Sequence, residues 1–252
     1  MAADELAELV ARAAGAASSE ESSRSATARA LAALVPALTR SAKKSGVRAV
    51  AAGRWLADLV VEVAPRIPVR DAQALRDQHP TLTDVQIAER LIKSASRATA
   101  ALGAAAGGVA AVEFLNPPTL LAAPIQLAAE MLTVTAVELK LVAELHEILG
   151  YPATGSVTER AGQYVMSWTS RRAVNDSIRT AGIGALLGAS AKRELRSQVL
   201  RRIGRSTTSL APFLAGAVAG AEVNRRATKQ LGETLLAEMR GRADDRWFRR
   251  LR

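Results

Sequence analysis

The sequence predicts an all-α fold: an Ala/Gly-rich multi-helix bundle organised around a long central antiparallel helical hairpin. Three observations lead there. Hydrophobic residues fill 49% of the 252 positions while aromatics fill only 3%, so the interior has to be built from Ala, Leu and Val among strong helix formers. Apolar positions recur at helical spacing over long stretches. The two longest stretches stop at Asn116-Pro117-Pro118 and at Gly150-Tyr151-Pro152, residues that cannot continue a helix. Single cores stop growing at roughly 250–300 residues, so one domain with an N-terminal appendage is expected.

The appendage covers residues 1–26. An Ala/Glu-rich start runs into Ala16-Ala17-Ser18-Ser19-Glu20-Glu21-Ser22-Ser23, a low-hydrophobicity composition that predicts a frayed helix and linker without a core. The helical domain then spans 27–252. From Thr27 to about Ala64, Leu31, Leu34, Val35, Leu38, Val47, Val50, Trp55, Leu56, Leu59 and Val63 recur at helical spacing, and Pro36 and Gly46 divide the pattern into two or three short helices. After Pro65-Arg66-Ile67-Pro68, Thr83 with Gln86 three residues on forms a capping box. The helix it starts extends through the Ala/Gly run to about Val112, and a partner from about Thr119 to Leu149 completes the hairpin. A helix with Val157, Tyr164, Val165 and Trp168 follows, then a run at Ala181–Ala189, a basic helix at Ser190–Gly204, a helix at Leu210–Ala221 and a last one from Val223 to Met239, stopping before Gly241.

Charge is distributed unevenly. Of the net +10, residues 171–252 hold 18 Lys/Arg against 7 Asp/Glu, a net of +11, and residues 1–170 hold 16 against 17. Such asymmetry points to an anionic partner. The absence of Cys excludes a disulfide framework and a thiolate metal site. The opening residues carry Asp4, Glu5 and Glu8 where a signal peptide would be basic and then apolar. Both features fit a cytoplasmic protein.

Catalytic constellations are hard to assemble from these residues. His146-Glu147 begins like a zinc-protease helix, yet no His follows four residues after His146, and His79 is the one other histidine. No Gly-Lys-Ser/Thr stands at phosphate-loop spacing. Glu130 and Glu138 lie eight residues apart, near enough to one helical face to cooperate in metal binding or proton handling. The stronger reading makes Glu138, Glu144 and Glu147 the solvated edge of an amphipathic helix, with Glu130 set apart inside the otherwise uncharged run Pro117–Val137. That run has spanning length, but Pro124, Gln126 and Glu130 lower its hydrophobicity. A buried hairpin or a shallow re-entrant insertion fits it better.

Three Gly-x-x-x-Gly pairs, Gly103/Gly107, Gly184/Gly188 and Gly216/Gly220, fall in Ala-rich helices. They are read as packing surfaces, because a missing side chain lets two backbones approach closely. On the helix Ser190–Gly204, Ala191, Leu195, Val199 and Ile203 form an apolar stripe, with Lys192, Arg193, Arg196, Arg201, Arg202 and then Arg205 mostly off it. A basic amphipathic helix of this kind can lie on an anionic membrane, or can simply present a solvated face. The tail Arg246-Trp247-Phe248-Arg249-Arg250 adds cations and a Trp. Leu82–Ala95 has a helix-turn-helix entry, but its charges are mixed and no compact recognition helix follows, so specific nucleic-acid binding is not expected.

Gly216-Ala217-Val218-Ala219-Gly220-Ala221-Glu222-Val223-Asn224, with Thr228 and Gly232 beyond, resembles the C-terminal signature of the EcsC family. The ending Leu145-His146-Glu147-Ile148-Leu149-Gly150-Tyr151 is similar to that family's Tyr-Gly-Tyr stop, with Leu149 where the first aromatic is usual. The resemblance covers residues 85–240, and the Arg/Ala bias is similar to that of actinobacterial members. It implies association with the cytoplasmic side of the membrane and brings no catalytic residue; Asn224 is grouped with the glycines as a helix-packing residue. The resulting expectation is a non-enzymatic protein without cofactor. It would dock peripherally on anionic phospholipid or an acidic membrane protein at the inner face of the cell membrane, alone or as a homo-oligomer. Integral insertion through the Ala/Gly hairpins and a metal-dependent carboxylate activity at Glu130/Glu138 are the alternatives.

Overall fold

A computed structural model of the chain describes residues 2–18, 24–51, 54–113, 123–172 and 211–250. Among the described residues there are eight α-helices and no strand: α1 (Ala2–Ser18), α2 (Arg24–Ala51), α3 (Arg54–Val63), α4 (Ala72–Gln78), α5 (Asp84–Glu113), α6 (Ala123–Ile148), α7 (Val157–Arg172) and α8 (Ala211–Arg250). A 3₁₀ turn at Ala64–Arg66 follows α3. The all-α bundle expected from the sequence is what forms.

Local chemistry explains several boundaries. The Thr83 Oγ1 accepts from the Gln86 N–H at 3.3 Å while the Gln86 side chain accepts from the Thr83 N–H at 2.9 Å, so α5 starts on the capping box read from the sequence. Ser156 and Glu159 build a second box at the start of α7, at 2.8 and 3.4 Å. Asp71 caps α4 through the Ala74 N–H. Gly150, at φ 79°, adopts the left-handed conformation that ends α6.

Three expectations are corrected. The N-terminal stretch is not coreless: Leu6, Ala7, Val10, Ala13 and Ala17 are buried in the main core as α1 lies against α2, α5 and α6. Those residues form a sparse helical stripe, and Ala suffices to bury it because helix–helix contact is close. Pro36 and Gly46 do not divide the next segment; α2 runs through both as a 28-residue helix. Pro36 removes one backbone hydrogen bond, and the fully buried Leu34 and Leu38 on either side hold the turn in place. At the C-terminal end, the two expected helices and the tail beyond Gly241 are one 40-residue helix, long enough to extend about 60 Å.

The centre of the bundle is α5, α6 and α8. Asn224 lies beside Gly103 and donates to Glu130, Thr228 bonds both Thr99 and Glu138, and Gly232 sits against Ile92. These pairs show that α8 runs antiparallel to α5 and parallel to α6, so α5 and α6 are antiparallel, as the hairpin reading requires. Among the described residues the α5–α8 contact is the most extensive. A Cβ added to Gly103 would stand 2.8 Å from the Gly220 carbonyl oxygen and 2.8 Å from Asn224 Nδ2, so at this crossing the two backbones approach as only glycine permits.

Candidate functional site

The feature with the most chemistry is a row of four glutamates on α6, and it is inside the protein. Glu130, Glu138, Glu144 and Glu147 are all buried, with Glu138 at 0% and Glu144 at 2% exposure. The reading of Glu138, Glu144 and Glu147 as the solvated edge of an amphipathic helix is therefore overturned. Burying a carboxylate demands hydrogen-bond donors, and each of these four has them.

Glu138 joins four helices. Its Oε1 accepts from the Thr228 hydroxyl of α8 at 2.7 Å and its Oε2 from the Trp168 indole N–H of α7 at 2.8 Å. While its hydroxyl donates to Glu138, Thr228 accepts from the Thr99 hydroxyl of α5 at 2.9 Å, so the polar chain runs Thr99 to Thr228 to Glu138. About two turns away on α6, Glu130 accepts from Asn224 Nδ2 at 3.1 Å. Eight residues of helix separate the two carboxylates by about 12 Å, too far for both to hold one metal ion. Among the described residues no three His, Asp or Glu side chains converge as a metal set.

Glu144 faces the other way, toward the segment before α4. Arg70 grips it with both guanidinium arms, at 2.8 and 2.7 Å, and Lys140 reaches it at 2.6 Å. Burial alone would push the Glu144 carboxyl up, but the bonds from Arg70 and Lys140 outweigh it and hold the carboxyl below its ordinary range. Glu147 accepts from Arg160 at 3.0 Å and from the Tyr164 hydroxyl at 2.9 Å; burial and this carboxylate together raise the Tyr164 pKa. His146 lies between the Tyr151 carbonyl at 3.1 Å and Ser167 Oγ at 2.9 Å. The carbonyl can only accept, so Nδ1 carries the proton and Nε2 accepts from Ser167. Burial, then the charges of Arg171 and Arg242, lower its pKa and favour this neutral form.

What this arrangement does chemically is to fasten helices. Each of the four carboxylates is met by at least one donor from another element, and a cation or substrate would have to displace it. A small apolar cavity of about 20 Å³, lined by residues such as Ile67, Leu139 and Tyr164, has room for roughly one water, well below the size of a small-molecule site.

The predicted site residues are placed as follows. Gly103, Gly220 and Asn224 meet at the α5–α8 crossing. Gly107 and Gly216 lie in the helical backbones of α5 and α8, and Arg246, Trp247, Arg249 and Arg250 in the last turns of α8. Gly184, Gly188, Lys192, Arg193, Arg196, Arg201, Arg202 and Arg205 lie outside the described residues. Sequence reasoning missed Arg70, Thr99, Arg160 and Trp168 as partners of the glutamates, since nothing in their spacing links them to α6. No family model matches the chain, and no curated protein or solved structure does.

Proposed function

We propose that this protein is a non-enzymatic helical module that docks on an anionic phospholipid surface through the basic part of its C-terminal third. The observation that carries the reading is where the cationic surplus falls once internal pairs are considered. On α8, Arg225 and Arg226 both bond Glu222, whose pKa these bonds draw down to about 2, Lys229 pairs with Glu233, and Arg240 with Glu89. Arg171 pairs with Glu238. Along the sequence the further cations gather at Lys192, Arg193, Arg196, Arg201, Arg202 and Arg205, six against Glu194 between residues 190 and 205, and at Arg246, Arg249 and Arg250. Each Lys/Arg brought to an anionic leaflet contributes about 1 kcal/mol, so a cluster of six suffices for reversible binding. The EcsC resemblance, with its expectation of the cytoplasmic membrane face, points the same way. No helix among the described residues is long and apolar enough to cross a membrane.

Co-sedimentation with vesicles tests this. The protein should pellet with vesicles containing about one-third phosphatidylglycerol at low salt, release when salt shortens the screening length, and ignore phosphatidylcholine vesicles. Replacing Lys192, Arg193, Arg196, Arg201, Arg202 and Arg205 with Gln should abolish pelleting. Equal binding to both lipids, or retention by the six-fold variant, would contradict the reading and turn attention to an acidic protein partner.

A further inference from the structure

We infer that the joint where α6, α7 and α8 meet around His146 is a pH-sensitive latch: a proton taken up by the imidazole sets it against Arg171 across Ser167 and loosens α7 from its neighbours. This latch is independent of membrane docking. His146 stands in the last turn of α6, and both of its ring nitrogens are engaged, Nδ1 by the Tyr151 carbonyl at 3.1 Å and Nε2 by Ser167 Oγ at 2.9 Å. Ser167 is shared. Its Oγ also accepts from Arg171 Nη1 at 2.6 Å, and the same Nη1 donates to the Ser167 carbonyl at 2.7 Å. Arg171 reaches on to Glu238 of α8 through Nε and Nη2, at 3.1 and 2.6 Å. The Tyr151 hydroxyl, just past α6, donates to the Met239 carbonyl of α8 at 3.2 Å. One serine hydroxyl thus lies where the contacts tying α6 to α7 meet those tying α7 to α8.

The network is balanced for a neutral ring. With Nδ1 protonated, Ser167 gives its hydroxyl hydrogen to Nε2 and keeps its lone pairs for Arg171. A proton added at Nε2 turns that acceptor into a second donor, and the Ser167 hydroxyl hydrogen has to turn away. The oxygen then faces N–H groups of two cations at once, with the guanidinium and imidazolium nitrogens no more than about 5.5 Å apart, in a site where burial weakens screening by water. The surrounding charges do not cancel this. Arg242 on α8 is a further cation near the ring, and Glu147 beside it on α6 is the carboxylate that favours the proton. Glu147 is already engaged by Arg160 and Tyr164 of α7, and Glu238 by Arg171. Tyr164, its ring 5.5 Å from the imidazole, is bonded to Glu147 and held neutral. A histidine that the fold keeps neutral loses stabilisation in acid. The latch is at full strength above the ordinary histidine value of about 6.5, and its opening equilibrium rises by up to about tenfold at one unit below that value.

Amide hydrogen exchange of the full chain, one unit above and one unit below the ordinary histidine value, tests the latch. The chemical pH dependence of exchange is common to all variants and divides out. Against His146→Gln, which keeps a neutral hydrogen-bonding side chain, wild-type amides of residues 157–172 should show an extra acceleration in acid of about five- to tenfold. Amides of residues 130–142 in α6 should show none. Arg171→Gln keeps the histidine and removes the opposing guanidinium, so α7 should be looser at both pH values and its extra acceleration in acid should fall below about half of the wild-type value. An acid response as large in His146→Gln as in wild type would overturn the latch, as would one undiminished in Arg171→Gln. Acceleration spread equally into residues 130–142 would make His146 a support of the whole fold and would overturn it too.

Discussion

At one end of the α5–α6–α8 unit, buried Glu144 and Glu147 are gripped by Arg70, Lys140 and Arg160, and Glu138 collects donors from α7 and α8. At the other, outward from the Gly103–Gly220 crossing, the same three helices carry a single charge, Glu113. The first end is held by directional bonds that tolerate little substitution, because removing any partner strands a buried polar group. The Gly103–Gly220 crossing is held by close backbone approach, which does not tolerate added volume. The difference teaches that two kinds of fastening divide the bundle along its axis: directional bonds to buried charges at one end, and close backbone approach at the Gly103–Gly220 crossing.

The largest effect should come from Glu138→Ala. It removes a fully buried side chain and strands Thr228 and Trp168, so denaturant unfolding should show a loss of about 3–4 kcal/mol. A loss below about 1 kcal/mol would mean the polar chain is not what joins the helices. Next, Gly103→Ala places a methyl group against the Gly220 backbone. It should cost about 2 kcal/mol despite alanine's better helix propensity, lowering the melting temperature by about 4–8 °C. Gly15→Ala, where a Cβ would meet nothing within 4 Å, is the contrast and should leave stability equal or higher.

A smaller effect concerns pH. Because the folded Glu144 pKa is depressed, its stabilisation is present above the ordinary carboxylate value and is lost as pH falls through the folded value. The Glu144→Gln variant should therefore start about 1 kcal/mol less stable at neutral pH, and the gap should narrow in acid unfolding curves taken below about pH 4.5. A constant gap across that range would show that the ion pair with Arg70 and Lys140 contributes nothing.

Much of the architecture was legible because it is written locally. Helical periodicity, the Thr83–Gln86 box and the Gly150 stop each act within a turn or two, and the structure places all three where expected. What was not legible depends on distant partners. Pro36 is a helix breaker by propensity, yet packing of the buried Leu34 and Leu38 overrides a penalty of about 3 kcal/mol, while the exposed Gly241 is carried within α8 at a cost of only about 1 kcal/mol. The glutamates of α6 could not be recognised as buried because hydropathy scores a carboxylate as polar whatever receives it. The receivers, Arg70, Trp168 and Thr228, are 30 to 90 residues away in sequence. Of the candidate site, Gly103, Gly220 and Asn224 could be singled out as small or unusual residues in Ala-rich helices, but their mutual contact appears only in three dimensions.

Hydrogen exchange with and without phosphatidylglycerol vesicles tests the proposed docking most directly. The proposal predicts that amides of residues 190–205 slow by about tenfold or more on vesicles, while those of residues 84–95 and 138–148, in the glutamate-fastened core, exchange as they do in solution. Protection of the core segments, or no change at residues 190–205 in protein that is demonstrably vesicle-bound, would contradict it.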